Sequence, residues 1–208
     1  MMKTIICLSG KRNSGKTTAE SIIKDIIGEN VVSYQMATIL KKIVSDLTGC
    51  DIKDLEKPNF KQSISPFKSY LSGKVNKYTY RELLINIGKL IRSYNNDIFI
   101  DDVIRFIDNC KSKYIIIPDV REEHELLELK EYANANQYKF YVFRIERPNW
   151  NLEDVHSDDK TETNLDDYLD FDATIMNDSD VKGLYNLVYT VLTHHQIINK
   201  PHKEQLLF

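Results

Sequence analysis

The segment GKRNSGKT, Gly10 to Thr17, constrains the fold of this chain more than any other part of it. Its spacing is G-x-x-x-x-G-K-[ST], that of a phosphate-binding loop. Two glycines let successive backbone N–H groups converge on one point, and a helix starting there adds the positive end of its dipole. The lysine of such a loop reaches the β- and γ-phosphates of a triphosphate, and the next hydroxyl joins the shell of Mg²⁺. Here those residues are Lys16 and Thr17. A glycine-rich turn that only joins a strand to a helix is the plainer alternative. The flanks favour the loop. KTIICL, Lys3 to Leu8, is a near-continuous apolar run, as in a strand buried on both faces of a parallel sheet. TTAESIIKDII then sets Ala19, Ile22, Ile23, Ile26 and Ile27 on one helical face.

Periodicity along the rest of the chain predicts strands near Val31–Gln35, Tyr114–Pro118, Phe140–Ile145 and Ala173–Met176. Helical patterns run near Thr17–Ile27, Ile39–Leu47, Tyr80–Tyr94, Ile98–Cys110, Glu122–Asn136 and Val181–Thr193. Thr79 and Glu82 have capping-box spacing, and Asp97 reads as the N-cap of the next helix. Five strands alternating with helices predict a three-layer α/β fold with a parallel sheet. With 208 residues the chain is expected to form one domain, 1–208. Two polar stretches, about 38–96 and about 148–166, are too long for simple crossovers. In a phosphate-loop protein they predict a helical acceptor-binding insert and a lid; the alternative is plain surface loop.

The bulk numbers narrow the function. Hydrophobic residues are 42% and charged residues 28%, ordinary for a globular domain. A net charge of −3 argues against a nucleic-acid binder, and no apolar run is long enough to span a membrane. Cys7, Cys50 and Cys110 show neither metal spacing nor a paired framework, which predicts a cytoplasmic protein. Cys7 lies within the first strand and reads as core. The opening MMKTIICLSGKR runs straight into the loop and reads as fold rather than leader.

YIIIPDVR, Tyr114 to Arg121, is the second informative stretch. A buried strand ending in Asp119 puts a carboxylate at the sheet edge where the loop opens, where it can orient the water shell of Mg²⁺. Arg121, two residues on, is placed to bind a phosphate bidentately. Alternatively Asp119 caps the following helix and Arg121 is solvated.

With these pieces in place the chain resembles the bacteriophage-type deoxynucleoside monophosphate kinases, a branch of the adenylate-kinase-like proteins. The resemblance is carried by GKRNSGKTT, MATILKKI, YRELLINIGKLIRSYNNDIFI, IIIPDVR and HSDDKTETNLDDYLDFDATIMND, spanning Gly10 to Asp178. It implies transfer of the γ-phosphate of ATP, with Mg²⁺, to a deoxynucleoside monophosphate. It also implies small-molecule nucleotide partners, no nucleic acid or membrane, and leaves room for a homodimer. By that resemblance Gly10, Asn13, Ser14, Gly15, Lys16, Thr17 and Thr18 hold the ATP phosphates, and Asn177 lies near the donor base, beside Asp178. Lys41, Arg81 and Arg92 face the acceptor monophosphate, with Asp119 and Arg121 between donor and acceptor. Arg147 and Trp150 open the lid, and His156 and Glu162 lie inside it.

Two departures stand out. The family often has Asp after the loop lysine, where this chain has Thr17, and Asp-Pro-Leu-Lys where it has Thr38-Ile39-Leu40-Lys41. Between Val155 and Thr163 Lys160 is the one obligate cation, so lid cations fall to Arg144 or Arg147, Arg144 alternatively pointing away along its strand. His156 also reads as an exposed loop residue, and Trp150 as a packing anchor. Phosphomevalonate kinases of the animal type share the SGKR-x-SGK loop and are the nearest rival enzymes. A GTPase switch would need an Asn-Lys-x-Asp element, which the sequence lacks. A non-catalytic nucleotide-binding module is the remaining alternative.

Overall fold

Six consecutive buried residues, Thr4–Ser9 (β1), occupy the middle of a five-stranded sheet, as their apolar run requires. The computed structural model describes residues 2–69, 76–148 and 164–199. The sheet order is β2-β5-β1-β6-β7, with β2 at Val31–Ser33, β5 at Tyr114–Ile117, β6 at Lys139–Glu146 and β7 at Ala173–Met176. Every pairing in it is parallel. Parallel neighbours need crossovers, and helices supply them. These are α1 (Lys16–Ile27) after β1, α5 (Ile98–Asn109) before β5 and α6 (Glu123–Ala135) between β5 and β6; α7 (Val181–His194) follows the last strand and packs against α1 and β7.

Parity along the strands sorts the two faces. Ile6, Leu8, Ile116, Phe143, Ile145 and Ile175 join Ala19, Ile22 and Ile23 of α1 and Leu184, Val188 and Leu192 of α7 in one core. The alternate residues Ile5, Cys7, Ile115, Ile117 and Val142 are buried on the opposite face. Helix α6 packs against β6 and buries Leu126, Leu129 and Ala133. The result is the expected three-layer α/β fold around a parallel sheet, and the five strands fall within two residues of their predicted bounds.

The chain divides into two compact units, Met1–Gln35 with Phe106–Phe208, and Met36–Arg105. The second contains α2 (Thr38–Thr48), α3 (Pro58–Lys61), β3 (Ile64–Ser69), β4 (Asn76–Thr79) and α4 (Tyr80–Tyr94). Its core is Leu40, Val44, Leu55, Tyr80 and Phe99. The capping box is complete: Glu82 N–H donates to Thr79 Oγ1 at 3.2 Å, and Thr79 N–H donates to the Glu82 carboxylate at 2.7 Å. The antiparallel pair β3–β4 is not foreseen by the helical reading of this stretch.

Candidate phosphate-binding site

The loop 10–15 leaves the C-terminal end of the central strand and runs into α1. The chain from β1 leads to β2 on one side of the sheet, whereas β6 leads to β7 on the other, so the loop opens where the strand order reverses. In open parallel sheets this is where ligands bind. Both loop glycines are required. Gly10 has φ 149°, and a Cβ there would lie 2.3 Å from the Ile145 carbonyl oxygen. Gly15 has φ 103°, and its Cβ would lie 2.3 Å from Asn177 Nδ2. No other residue follows this path without displacing its neighbours.

Three observations fit an anion here. The N-terminus of α1 has no side-chain cap and no acidic residue in its first turn, whereas α4, α6 and α7 are capped by Thr79, Glu122 and Asp180. Its leading N–H groups therefore face outward with the positive end of the dipole. Helix α2, which carries Lys41, begins in the same uncapped way. Secondly, Ser14 is buried and its Oγ has no hydrogen-bond partner among the described residues. Thirdly, Lys16 arches back over its own loop, its Nζ donating to the carbonyls of Gly10 and of Lys11, the latter at 2.7 Å. That ammonium is therefore held at the loop by its own carbonyls. Asn13, at φ 61°, and Thr17 are exposed beside it, and Thr18 continues the first turn of α1.

Side chains from distant strands brace the loop. Asn177, just beyond β7, is 7% exposed, and its Nδ2 donates to the Ser14 carbonyl at 2.8 Å. Its amide turns inward and holds the loop. Arg144 of β6 is 5% exposed; Nη1 donates to Ser9 Oγ at 3.3 Å and Nη2 to Asp166 Oδ1 at 2.5 Å. Asp166 Oδ2 in turn pairs with Lys11 Nζ at 2.8 Å. Partial burial pushes the Asp166 pKa up, but the hydrogen bonds and charges of Lys11 and Arg144 outweigh it and hold the carboxyl below its ordinary value. Arg144 therefore has its charge balanced within the fold.

Asp119 follows β5, the strand beside β1, in the turn after Ile117, which pairs with Cys7. It is not the N-cap of α6. That role belongs to Glu122, whose capping box with buried Glu125 also lets Glu125 Oε2 accept the Arg121 N–H at 2.9 Å. The backbone at Arg121 is thus fixed while the residue is exposed, as is Arg147 after β6. Burial first, then the charges of Glu125, Asp119 and Asp172, push the Cys7 thiol far above its usual range. Cys7 is core, as read.

In the Met36–Arg105 unit, Lys41 is buried and pairs with Glu56 at 2.6 Å. The Arg92 guanidinium lies 4.6 Å from the Phe99 ring centroid. Arg81 Nε is buried without a hydrogen-bond partner among the described residues. Trp150, His156, Lys160 and Glu162, with most of the expected lid, lie outside the described residues.

A magnesium ion would be held by Thr17 and Asp119 only together with phosphate oxygens, its usual manner of binding in such sites. Among the described residues no three His, Cys, Asp or Glu side chains gather to hold a metal on their own. No helix among them is long and apolar enough to cross a membrane.

Missed from sequence were Ser9, Lys11 and Asp166 as loop-bracing residues. Parity on β6 was the available signal for Arg144, which shares the inward face of Val142.

No family model matches the chain, and no curated protein matches it. Among solved structures it is similar to a shikimate kinase from Aquifex aeolicus vf5, at 13% identity and TM-score 0.47, over 93% of this chain and 99% of that one. TT1252 from Thermus thermophilus is similar at 13% identity and TM-score 0.48, over 93% and 98%. A dephospho-CoA kinase from Campylobacter jejuni is similar at 16% identity and TM-score 0.47, over 93% and 98%. At these scores the likenesses decide nothing about what this chain acts on.

Proposed function

We propose that the chain is an ATP-dependent phosphotransferase whose acceptor is a deoxynucleoside 5′-monophosphate. The transfer reading is supported by the loop Gly10–Thr17, which combines two glycines that no other residue could replace without displacing neighbours, an uncapped helix N-terminus and a lysine folded back onto the loop carbonyls. The acceptor class rests on the resemblance carried by YRELLINIGKLIRSYNNDIFI and IIIPDVR.

Phosphoryl transfer between two anions needs alignment and charge neutralisation more than covalent chemistry. The loop N–H groups and Lys16 bind and orient the donor phosphates and offset the charge that develops on them. Bound Mg²⁺ supplies further charge neutralisation at the phosphate oxygens, with Thr17 and Asp119 as its protein-side holders. By the same resemblance the acceptor phosphate falls to Arg81, Arg92 and Lys41, and Arg121 and Arg147 would add positive charge. The acceptor oxygen is already an anion at neutral pH, so no strong general base is needed.

A panel of monophosphates, with ATP and Mg²⁺ and with ADP release as readout, tests this. At least one deoxynucleoside monophosphate is expected to be turned over, and 5-phosphomevalonate is not. A site that hydrogen-bonds a base rejects an acceptor lacking those groups by up to roughly 10⁴–10⁵. Turnover of phosphomevalonate at or above the best nucleotide replaces this reading with the rival. ATP binding with no turnover of any acceptor makes the chain a non-catalytic nucleotide-binding module.

A further inference from the structure

We infer that the Arg144–Asp166 pair is a positioning device for the phosphate loop, fixing the backbone on both sides of Gly10 and thereby setting the affinity for a nucleotide's phosphates. The inference rests on the reading of Gly10–Thr17 as a phosphate site and goes beyond it in assigning two residues that never touch the ligand.

Register explains the first tie. Ser9 and Arg144 are partners on adjacent parallel strands, so their side chains share one face, and Arg144 Nη1 donates to Ser9 Oγ at 3.3 Å. The second tie uses both oxygens of one carboxylate. Asp166 Oδ1 accepts from Arg144 Nη2, and Asp166 Oδ2 pairs with Lys11 Nζ at 2.8 Å. The residues immediately before and after Gly10 are thus fastened to the same ion pair. Gly10 itself has no slack, because a Cβ at its position would fall 2.3 Å from Ile145 O. The Asp166 carboxylate is also held from its own side. Leu165 is 2% exposed, and Asn164 Nδ2 donates to Glu122 Oε2 at 2.8 Å.

Arg144 is too enclosed, at 5% exposure, to serve as a transfer cation, and its remaining guanidinium nitrogen lies 3.5 Å from Glu146 Oε1. Such a buried charge acts on what it holds. A phosphate loop binds through backbone N–H groups, so an arm already fixed loses less conformational freedom when the anion arrives. Releasing Lys11 from Asp166 loosens that arm and weakens binding.

The experiment uses the full chain and a non-hydrolysable ATP analogue, with Kd read by calorimetry. In Asp166→Asn the amide oxygen still accepts from Arg144, while its NH₂ faces Lys11 and cannot accept. Its Kd is expected to rise about threefold to fivefold, the worth of one half-exposed ion pair. Lys11→Met cuts the same tie from the other end and is expected to raise Kd by the same factor; it alters an exposed lysine and serves if Asp166→Asn fails to fold. The double variant is expected to be no worse than either single one, because both remove one interaction. The acceptor KM stays unchanged, which a general loosening of the fold would not allow. A Kd within about twofold of wild type in either single variant overturns the inference, since the tie then adds nothing that binding senses. So does tighter binding in Asp166→Asn, which would make the carboxylate a competitor of the phosphate, and so does multiplication of the two effects in the double variant. Wild-type binding of the analogue without transfer to any acceptor removes the proposed function and leaves this inference standing. Unchanged Kd in an active enzyme does the reverse.

Discussion

Gly15 offers a direct energetic test of how the loop is held. Its backbone lies at φ 103° and ψ 14°, and an alanine Cβ there would meet Asn177 Nδ2 at 2.3 Å. Gly49, the C-cap of α2, has a similar left-handed backbone at φ 73° and ψ 12° with nothing within 4 Å of its Cβ position. Gly49→Ala therefore costs only the backbone term, about 1–2 kcal/mol. Gly15→Ala carries that term as well. It also displaces Asn177 and breaks the 2.8 Å hydrogen bond to Ser14 O, a loss of about 0.5–1.5 kcal/mol. Forcing a methyl group into a filled space adds about 1–3 kcal/mol. The expected destabilisation is about 3–6 kcal/mol against about 1–2 for Gly49→Ala. Urea unfolding followed by circular dichroism measures both. Adding Asn177→Ala to Gly15→Ala removes the obstructing amide, so the double variant is expected to be no less stable than Gly15→Ala alone. Equal costs at Gly15 and Gly49, or simple addition of the Gly15 and Asn177 effects, would refute the packing argument.

Lys16→Ala is expected to lower kcat by at least about 10², with the circular dichroism spectrum unchanged; retention of more than about a tenth of the rate would show the ammonium to be incidental. Arg81→Ala and Arg92→Ala are expected to raise the acceptor KM far more than the ATP KM. Equal effects on both substrates would reassign the arginines to the fold, Arg92 through its stacking on Phe99. Cys7, its thiol pushed up mainly by burial, is expected to stay unmodified by maleimide at pH 8 in the native protein while the partly exposed Cys50 and Cys110 react; peptide mass mapping reads this, and native labelling of Cys7 would contradict its place in the core. The folded Asp166 carboxyl has a lowered pKa, so its stabilisation is present above the unfolded value, about 4, and is lost as pH falls through the folded one. The Tm gap between wild type and Asp166→Asn is therefore expected to be full at pH 6 and to close in strong acid; a gap constant over that range would mean the carboxylate charge does not matter.

The parts of the fold legible in the sequence are those with a local cause. Continuous apolar runs mark β1 and β5 because parallel strands are buried on both faces. Helix α4 is bounded as read because Thr79 and Glu82 hydrogen-bond reciprocally within one turn. The hairpin was hidden for an equally local reason. Ile64–Ser69 contains Pro66, shows no clean alternation, and its pairing with β4 slips in register between Ile64 and Lys68. Proline and an irregular register are what a two-stranded edge tolerates, and they erase the period-two signal.

The site divides along the same line. The cradle is a property of eight consecutive residues, and its glycines, lysine and hydroxyls announce the chemistry from spacing alone. What holds the cradle is not local. Asn177 reaches Ser14 from 163 residues away, Arg144 reaches Ser9 from 135, and Asp166 reaches Arg144 from 22. Placing Asn177 near a donor base followed from its position after the last strand, which fixes the end of the sheet it occupies but not the direction its amide faces. Strand parity does constrain Arg144: sharing the face of Val142, opposite Phe143 and Ile145 of the apolar core, it had to be buried, and a buried guanidinium requires an anion nearby. Parity alone could not choose among the acidic residues that follow β6. That choice was made by sheet register together with the return of the chain at Asn164 and Leu165, which sets one carboxylate between a strand and the loop. A loop of this spacing can therefore be found by its own residues, whereas the ties that hold it are made by residues whose only common property is where the fold brings them.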